Sequence, residues 1–180
     1  MNMLRTLALL LACLPVLAQD IPGYERRAFT HWTDADRDGQ NARAEVLIAW
    51  SQAPVTFTDA RERTVSGGRW TGPYTGETFT QASQLDIDHV VPLAYAWAHG
   101  AHAWTADKRR AFANDPLNLL PVQASANRQK GAQGPLDWMP PREAFACEYL
   151  LRWRRVIDAY RLAPDARVMS MEVRICDMTL

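Results

Sequence analysis

The stretch Leu85-Asp86-Ile87-Asp88-His89-Val90-Val91-Pro92 decides how this chain is read, together with Pro116-Leu117-Asn118-Leu119-Leu120 and Ser125-Ala126-Asn127-Arg128 further along. Leu85 to Val91 is an apolar and β-branched run stopped by Pro92, and Leu117 to Val122 makes a second short strand. Ser125 is placed to cap a short helix that Gly131 ends. The order is strand, strand, helix, and the three elements carry acids, one imidazole and two amides.

Those residue types suit one kind of chemistry. Hydrolysis of a phosphodiester needs a water deprotonated, charge on the phosphoryl oxygens offset and a leaving alkoxide stabilised. A neutral histidine can take the proton. Aspartate and asparagine offer oxygen ligands to a hard ion such as Mg²⁺ and leave positions for water and phosphate oxygens. No cysteine is near enough in the pattern to build a thiolate zinc cage. Adjacent strand residues point to opposite faces, so Asp88 and His89 share a site only where the strand ends, and Pro92 supplies such an end. Asp86 shares the face of Asp88.

At this point the chain resembles the HNH, or ββα-metal, nuclease superfamily, and more narrowly the secreted HNH nucleases whose core reads Asp-His-Val-Val-Pro-Leu. The likeness spans at least Trp70 to Pro141, including Phe112 to Leu120 and Ser125 to Gly131. It implies that His89 is the general base, that Asp88 and Asn127 are the metal ligands, and that Asn118 holds the loop orienting the base. Asp88 and Asn127 stand at the first and third letters of the nominal His-Asn-His. Oxygen ligation there moves the expected metal from zinc or nickel towards Mg²⁺ or Mn²⁺. Arg128 and Lys130, beside Asn127, are expected to grip flanking phosphates.

The acidic turn Asp34-Ala35-Asp36-Arg37-Asp38-Gly39, continued to Glu45, admits two readings. Its acids at positions one, three, five and twelve, with glycine at six, match a calcium loop and predict a structural Ca²⁺ held by Asp34, Asp36, Asp38 and Glu45. The resemblance supplies the other, because related secreted nucleases carry such a turn before an Arg-x-Glu step, here Arg43 and Glu45. Arg43 would then reach the site and stabilise charge on the phosphate. His99 and His102 sit at a predicted helix end without a third ligand and read as surface residues, and His31 has no supporting context.

Working outward, 180 residues with 48% hydrophobic and 22% charged side chains suit one domain with a sizeable core. Met1 to Ala18 reads as a secretory leader cut after Ala18, too short to span a bilayer. Leu10-Leu11-Ala12-Cys13 offers a rival lipoprotein reading. After cleavage Cys147 and Cys176 remain, and export predicts that they pair. The formal net charge is zero, falling to about −1 without the leader, so no basic excess advertises a nucleic-acid partner. Lys108 and Lys130 are the only lysines, which leaves arginine for bidentate phosphate contacts.

The remaining pattern predicts helices over Ala42 to Trp50, Leu93 to His99, Thr105 to Ala113 and Arg142 to Leu162, a loop-rich wall of turns and short strands over Ser66 to Gly76, and an extended tail over 163–180. Phe145, Tyr149, Trp153, Val156, Ile157 and Tyr160 follow helical spacing and read as core. The expectation is an exported α+β protein, leader 1–18 and a single domain 19–180 with its core motif about 85–131. Its implied work is metal-dependent cutting of DNA, with RNA as a further substrate, through backbone contacts. An immunity protein is the implied partner if it is a toxin. A second reading is a calcium-stabilised, non-catalytic envelope or interaction module on the same fold.

Overall fold

Asn41 opens the first regular element: its side chain accepts from the Ala44 N–H and starts helix α1 (Ala42–Trp50), which buries Ala42, Ala44, Val46 and Leu47. The computed structural model describes residues 21–177, so the expected leader, with Cys13, lies outside the described residues. Strands β1 (Thr56–Phe57), β2 (Val65–Thr71) and β3 (Thr78–Gln81) form an antiparallel sheet in that order. The stretch expected as turns and short strands thus carries most of β2. Its glycines serve close approach: a Cβ on Gly68 would lie 2.6 Å from the Trp70 ring and 2.8 Å from Ser51 Oγ.

Strand β4 (Leu85–His89) leads into helices α2 (Leu93–Ala98) and α3 (Ala106–Asn114), the latter capped by Thr105 Oγ1 accepting from the Lys108 N–H. Strand β5 (Leu119–Gln123) returns antiparallel to β4, pairing Asp86 with Val122 and Asp88 with Leu120. Helix α4 (Ala124–Lys130) follows with no intervening turn. Gln123 therefore occupies the cap position without a side-chain bond, and Ser125 lies inside the helix rather than capping it. Gly131 ends it at φ 55°, as its lack of a Cβ allows.

The two faces of the β4–β5 hairpin enter two different cores, so β5 is apolar almost throughout while β4 alternates apolar side chains with Asp86 and Asp88. Leu85, Ile87 and Leu119 pack with α1 and Trp70, while Leu120, Val122 and Ala126 pack with Val90, Val91 and the helices beyond. The Asp86 and Asp88 face is the one α4 covers. Helix α5 (Ala146–Tyr160) buries Tyr149, Leu150, Trp153, Val156 and Ile157, so the aromatic stripe is packing.

The last segment is a correction. Residues Ala166–Asp177 form helix α6 instead of an extended tail, with Val168, Met171 and Ile175 at helical spacing against the α5 core. Cys147 of α5 and Cys176 of α6 are disulfide-bonded across 29 residues, a loop whose closure is worth about 3 to 4 kcal/mol on chain entropy. The architecture is α+β. No described helix is long and apolar enough to cross a membrane.

Candidate active site

His89 is the last residue of β4, and three elements fix its ring. Its Nε2 lies 2.9 Å from the Ala113 carbonyl oxygen. Ala113 sits in the final turn of α3, where carbonyls lack intrahelical partners and accept from elsewhere. A carbonyl only accepts, so Nε2 carries the proton and Nδ1 keeps the lone pair. Trp32 stacks on the ring at 5.7 Å and 20°, and His31 meets it edge-on at 6.2 Å.

Only 6% exposed, the imidazole is held down to about 3, chiefly because burial penalises the imidazolium. The folded value lies below the unfolded one, so His89's contribution to stability is complete above pH 6.5 and is lost as pH falls towards 3. Metal-free wild type should therefore lose stability relative to His89→Asn by about 1.4 kcal/mol per pH unit across that window, as read in urea melts.

Asn118 is fully buried and braces the turn after His89. Its Oδ1 accepts from the Val91 N–H at 2.8 Å, its Nδ2 donates to the Val91 carbonyl, and its own carbonyl accepts from the Val90 N–H. Arg152 of α5 in turn donates to the Pro116 and Leu117 carbonyls beneath it. The loop is thus tied to the core helix.

Asp88 is buried as well, and its carboxylate has company that the sequence reading did not foresee. Tyr74 Oη donates to Oδ2 at 2.6 Å, and Lys130 Nζ lies 2.9 Å from Oδ1 while also donating to the His89 carbonyl at 2.8 Å. Burial pushes the Asp88 carboxyl up and the Lys130 amine down, and the attraction between the two charges opposes both shifts. Lys130 is therefore not a surface grip for phosphate. It stands three residues beyond Asn127, so the same helix face turns both towards the hairpin. The signal for Tyr74 was weaker still, a single tyrosine in a glycine-rich stretch.

Asn127 Nδ2 donates to Asp86 Oδ2 at 3.1 Å, which leaves its Oδ1 free of that pair. Arg128 is exposed and has no hydrogen-bond or ion-pair partner among the described residues. Asp88, His89, Asn127 and Arg128 all line one open cavity of about 350 Å³, with Tyr24 and Arg26 also on its wall. Asp88 and His89 do face opposite sides of β4, but the cavity lies at the strand's end and takes in both. As a donor set, one carboxylate and one amide oxygen fit a hard divalent cation, because carboxylate oxygens that already accept one bond keep further lone pairs.

Arg43 is not on that wall. Its guanidinium donates to the Ala82 and Leu85 carbonyls at 3.2 and 2.9 Å and lies within electrostatic reach of Asp86, so it buttresses the start of β4. Asp34, Asp36 and Asp38 converge, with ligand oxygens within 4.8 Å of one another. Burial and then those three charges push the Glu45 carboxyl up. His99 stacks on Tyr95 and His102 bonds the Trp97 carbonyl, away from this site.

Residues 27–165 match the model of the GmrSD restriction endonucleases, C-terminal domain. The chain belongs to this family. The match takes in the acidic turn, the β4–β5 hairpin, α4 and α5, and therefore every side chain on the cavity wall except those of Tyr24 and Arg26. Family membership makes the chain a relative of nucleases, whose substrates are nucleic acids. An uncharacterized secreted protein of Arthroderma benhamiae (strain ATCC MYA-4681 / CBS 112371) is 38% identical over 154 residues, covering 78% of this chain and 68% of the relative. No solved structure matches.

Proposed function

We propose that the chain is an exported HNH-type endonuclease that hydrolyses phosphodiester bonds of DNA, and of RNA as a further substrate, with little sequence preference. The observation that carries this reading is the imidazole of His89, whose Nε2–H is committed to Ala113 so that a basic Nδ1 is left beside Asp88 and Asn127 in one cavity. In this reading Nδ1 takes the proton of the attacking water, Trp32 and Ala113 hold the ring in line, and Asn118 keeps the strand end rigid. Asp86 turns the Asn127 amide so that its oxygen is presented, and Arg128 meets a phosphate. Asp88 and Asn127 would hold Mg²⁺ or Mn²⁺, which when bound supplies charge to the phosphoryl oxygens and acidifies water.

Secretion or periplasmic residence is supported by the name of the fungal relative and by the Cys147–Cys176 bond. The leader 1–18, with lipidation at Cys13 as the minor route, is part of the same proposal. The test of function is digestion of supercoiled plasmid by the full chain with Mg²⁺, Mn²⁺ or EDTA. Nicking with either metal and none in EDTA is expected. Absence of cutting by folded protein under every metal would favour the non-catalytic module, and an immunity protein would then lose its rationale.

A second reading concerns the acidic turn, where three converging carboxylates, whose charge helps push the Glu45 carboxyl up, favour a structural Ca²⁺. Calcium at a hundred times its dissociation constant is expected to stabilise the wild type by about 2.7 kcal/mol. Asp36→Asn should remove that gain in thermal melts. Equal shifts in both proteins would place the calcium elsewhere.

A further inference from the structure

We propose that Tyr24 and Arg26 form a substrate subsite for single-stranded nucleic acid, with Arg26 taking a backbone phosphate and Tyr24 stacking on a neighbouring base. The proposal rests on the nuclease reading of the cavity and adds to it the wall opposite α4. Both residues precede the segment 27–165 that matches the family, so nothing in that likeness assigns them a role.

The cavity has two cationic sides. Arg128 stands on the α4 side and Arg26 on the other, and among the described residues neither has a carboxylate partner. Elsewhere the arginines near the hairpin are committed, Arg43 and Arg152 to backbone carbonyls and Arg154 to Glu172. Arg26 is instead held by a histidine. Its Nη2 approaches His31 Nε2 at 3.4 Å, and because a guanidinium only donates, that nitrogen accepts while His31 Nδ1–H donates to the Phe29 carbonyl at 2.8 Å. His31 itself rests edge-on against His89. The chain of contacts places a free positive charge at a fixed offset from the basic nitrogen, as a phosphate next to the scissile one requires.

Tyr24 is anchored without being covered. The Trp97 indole N–H donates to the Pro22 carbonyl at 2.7 Å, Phe29 is buried in the core, and Tyr24 meets Trp97 at 6.3 Å and Phe29 at 6.4 Å. Tyr24 as a whole nonetheless stays 38% exposed on the cavity wall. An aromatic ring beside a cationic track is how proteins hold single strands, since every base has a stacking face. A base paired in duplex has that face covered by its neighbours, so this subsite favours unpaired segments.

The test is fluorescence anisotropy of a labelled single-stranded oligonucleotide with the full chain carrying His89→Ala, in Mg²⁺, so that binding is read without cutting. Arg26→Ala is expected to reduce the slope of log K against log salt by about 0.7. Tyr24→Leu, which keeps apolar packing against Trp97, should weaken binding about five- to a hundredfold, and should leave binding of an abasic oligonucleotide unchanged. Unaltered slope and affinity in the two variants would overturn the proposal, as would equal weakening of the abasic strand by Tyr24→Leu. Plasmid cutting by the wild type, measured alongside, separates these outcomes: cutting with no effect of the variants sinks the subsite and spares the nuclease reading, and weakened binding without cutting does the reverse.

Discussion

Replacing Lys130 with methionine is expected to cost about 3 to 5 kcal/mol of folding stability in the metal-free protein. The side chain has no exposed surface, and Asp88 is only 5% exposed. Lys130 Nζ neutralises that carboxylate and satisfies the His89 carbonyl at once. Methionine fills much the same volume but leaves the Asp88 charge in low dielectric with the Tyr74 hydroxyl as its remaining donor. The loss comes from the uncompensated charge and not from a large net worth of the ion pair. A Lys130→Met, Asp88→Leu double variant should accordingly recover most of it, since an apolar replacement of a buried pair is often neutral. Urea melts in EDTA measure all three proteins. A single-variant cost below about 1 kcal/mol would mean that Asp88 is hydrated or protonated in the native state.

A cation added to the Lys130→Met variant has a vacancy of charge to fill beside Asp88. Mn²⁺ should stabilise that variant more than it stabilises the wild type, whose carboxylate already has a cationic neighbour. On the proposed reading, Asp88, Lys130 and Tyr74 would set metal affinity and core stability together.

Much of this arrangement was legible because it is local. The run ending at Pro92, the Thr105 cap, the Gly131 stop and the helical spacing of Tyr149, Trp153 and Val156 each state their own geometry. The bracing role of Asn118 came from the family resemblance and not from local pattern, since its partner Val91 lies 27 residues away, whereas the pairing of Cys147 with Cys176 was legible because an exported chain has few alternatives. Contacts between distant segments were not legible. Whether Lys130 faces water or Asp88 depends on the rotation of α4 over the hairpin, which no residue of α4 declares by itself. Arg43 had two acceptable destinations, and in the fold its guanidinium meets the carbonyls of Ala82 and Leu85. His31, dismissed for lack of context, gains it only when the segment before α1 folds across His89. Helix α6 was missed because its apolar stripe, Val168, Met171 and Ile175, is interrupted by charges that read as a tail.

The second large effect concerns His89 itself. Its ring is locked by Ala113 and Trp32, and burial keeps it neutral to about pH 3, so at neutral pH it is present wholly as a base. A positioned general base of this kind contributes about 10² to 10⁴ in rate. Alanine also opens space beside Trp32 in which a free imidazole can sit, so added imidazole should restore part of the rate to His89→Ala. A purely structural His89 would give no such rescue.

Whether His89 is the base of the proposed metal-dependent phosphodiesterase site is read from the single-turnover cleavage rate of one DNA substrate at saturating Mn²⁺. Wild type and His89→Ala are to be compared after matching circular dichroism spectra show that both are folded. The variant is expected to be slower by about 10² to 10⁴. Equal rates in the two proteins would mean that His89 is not the base.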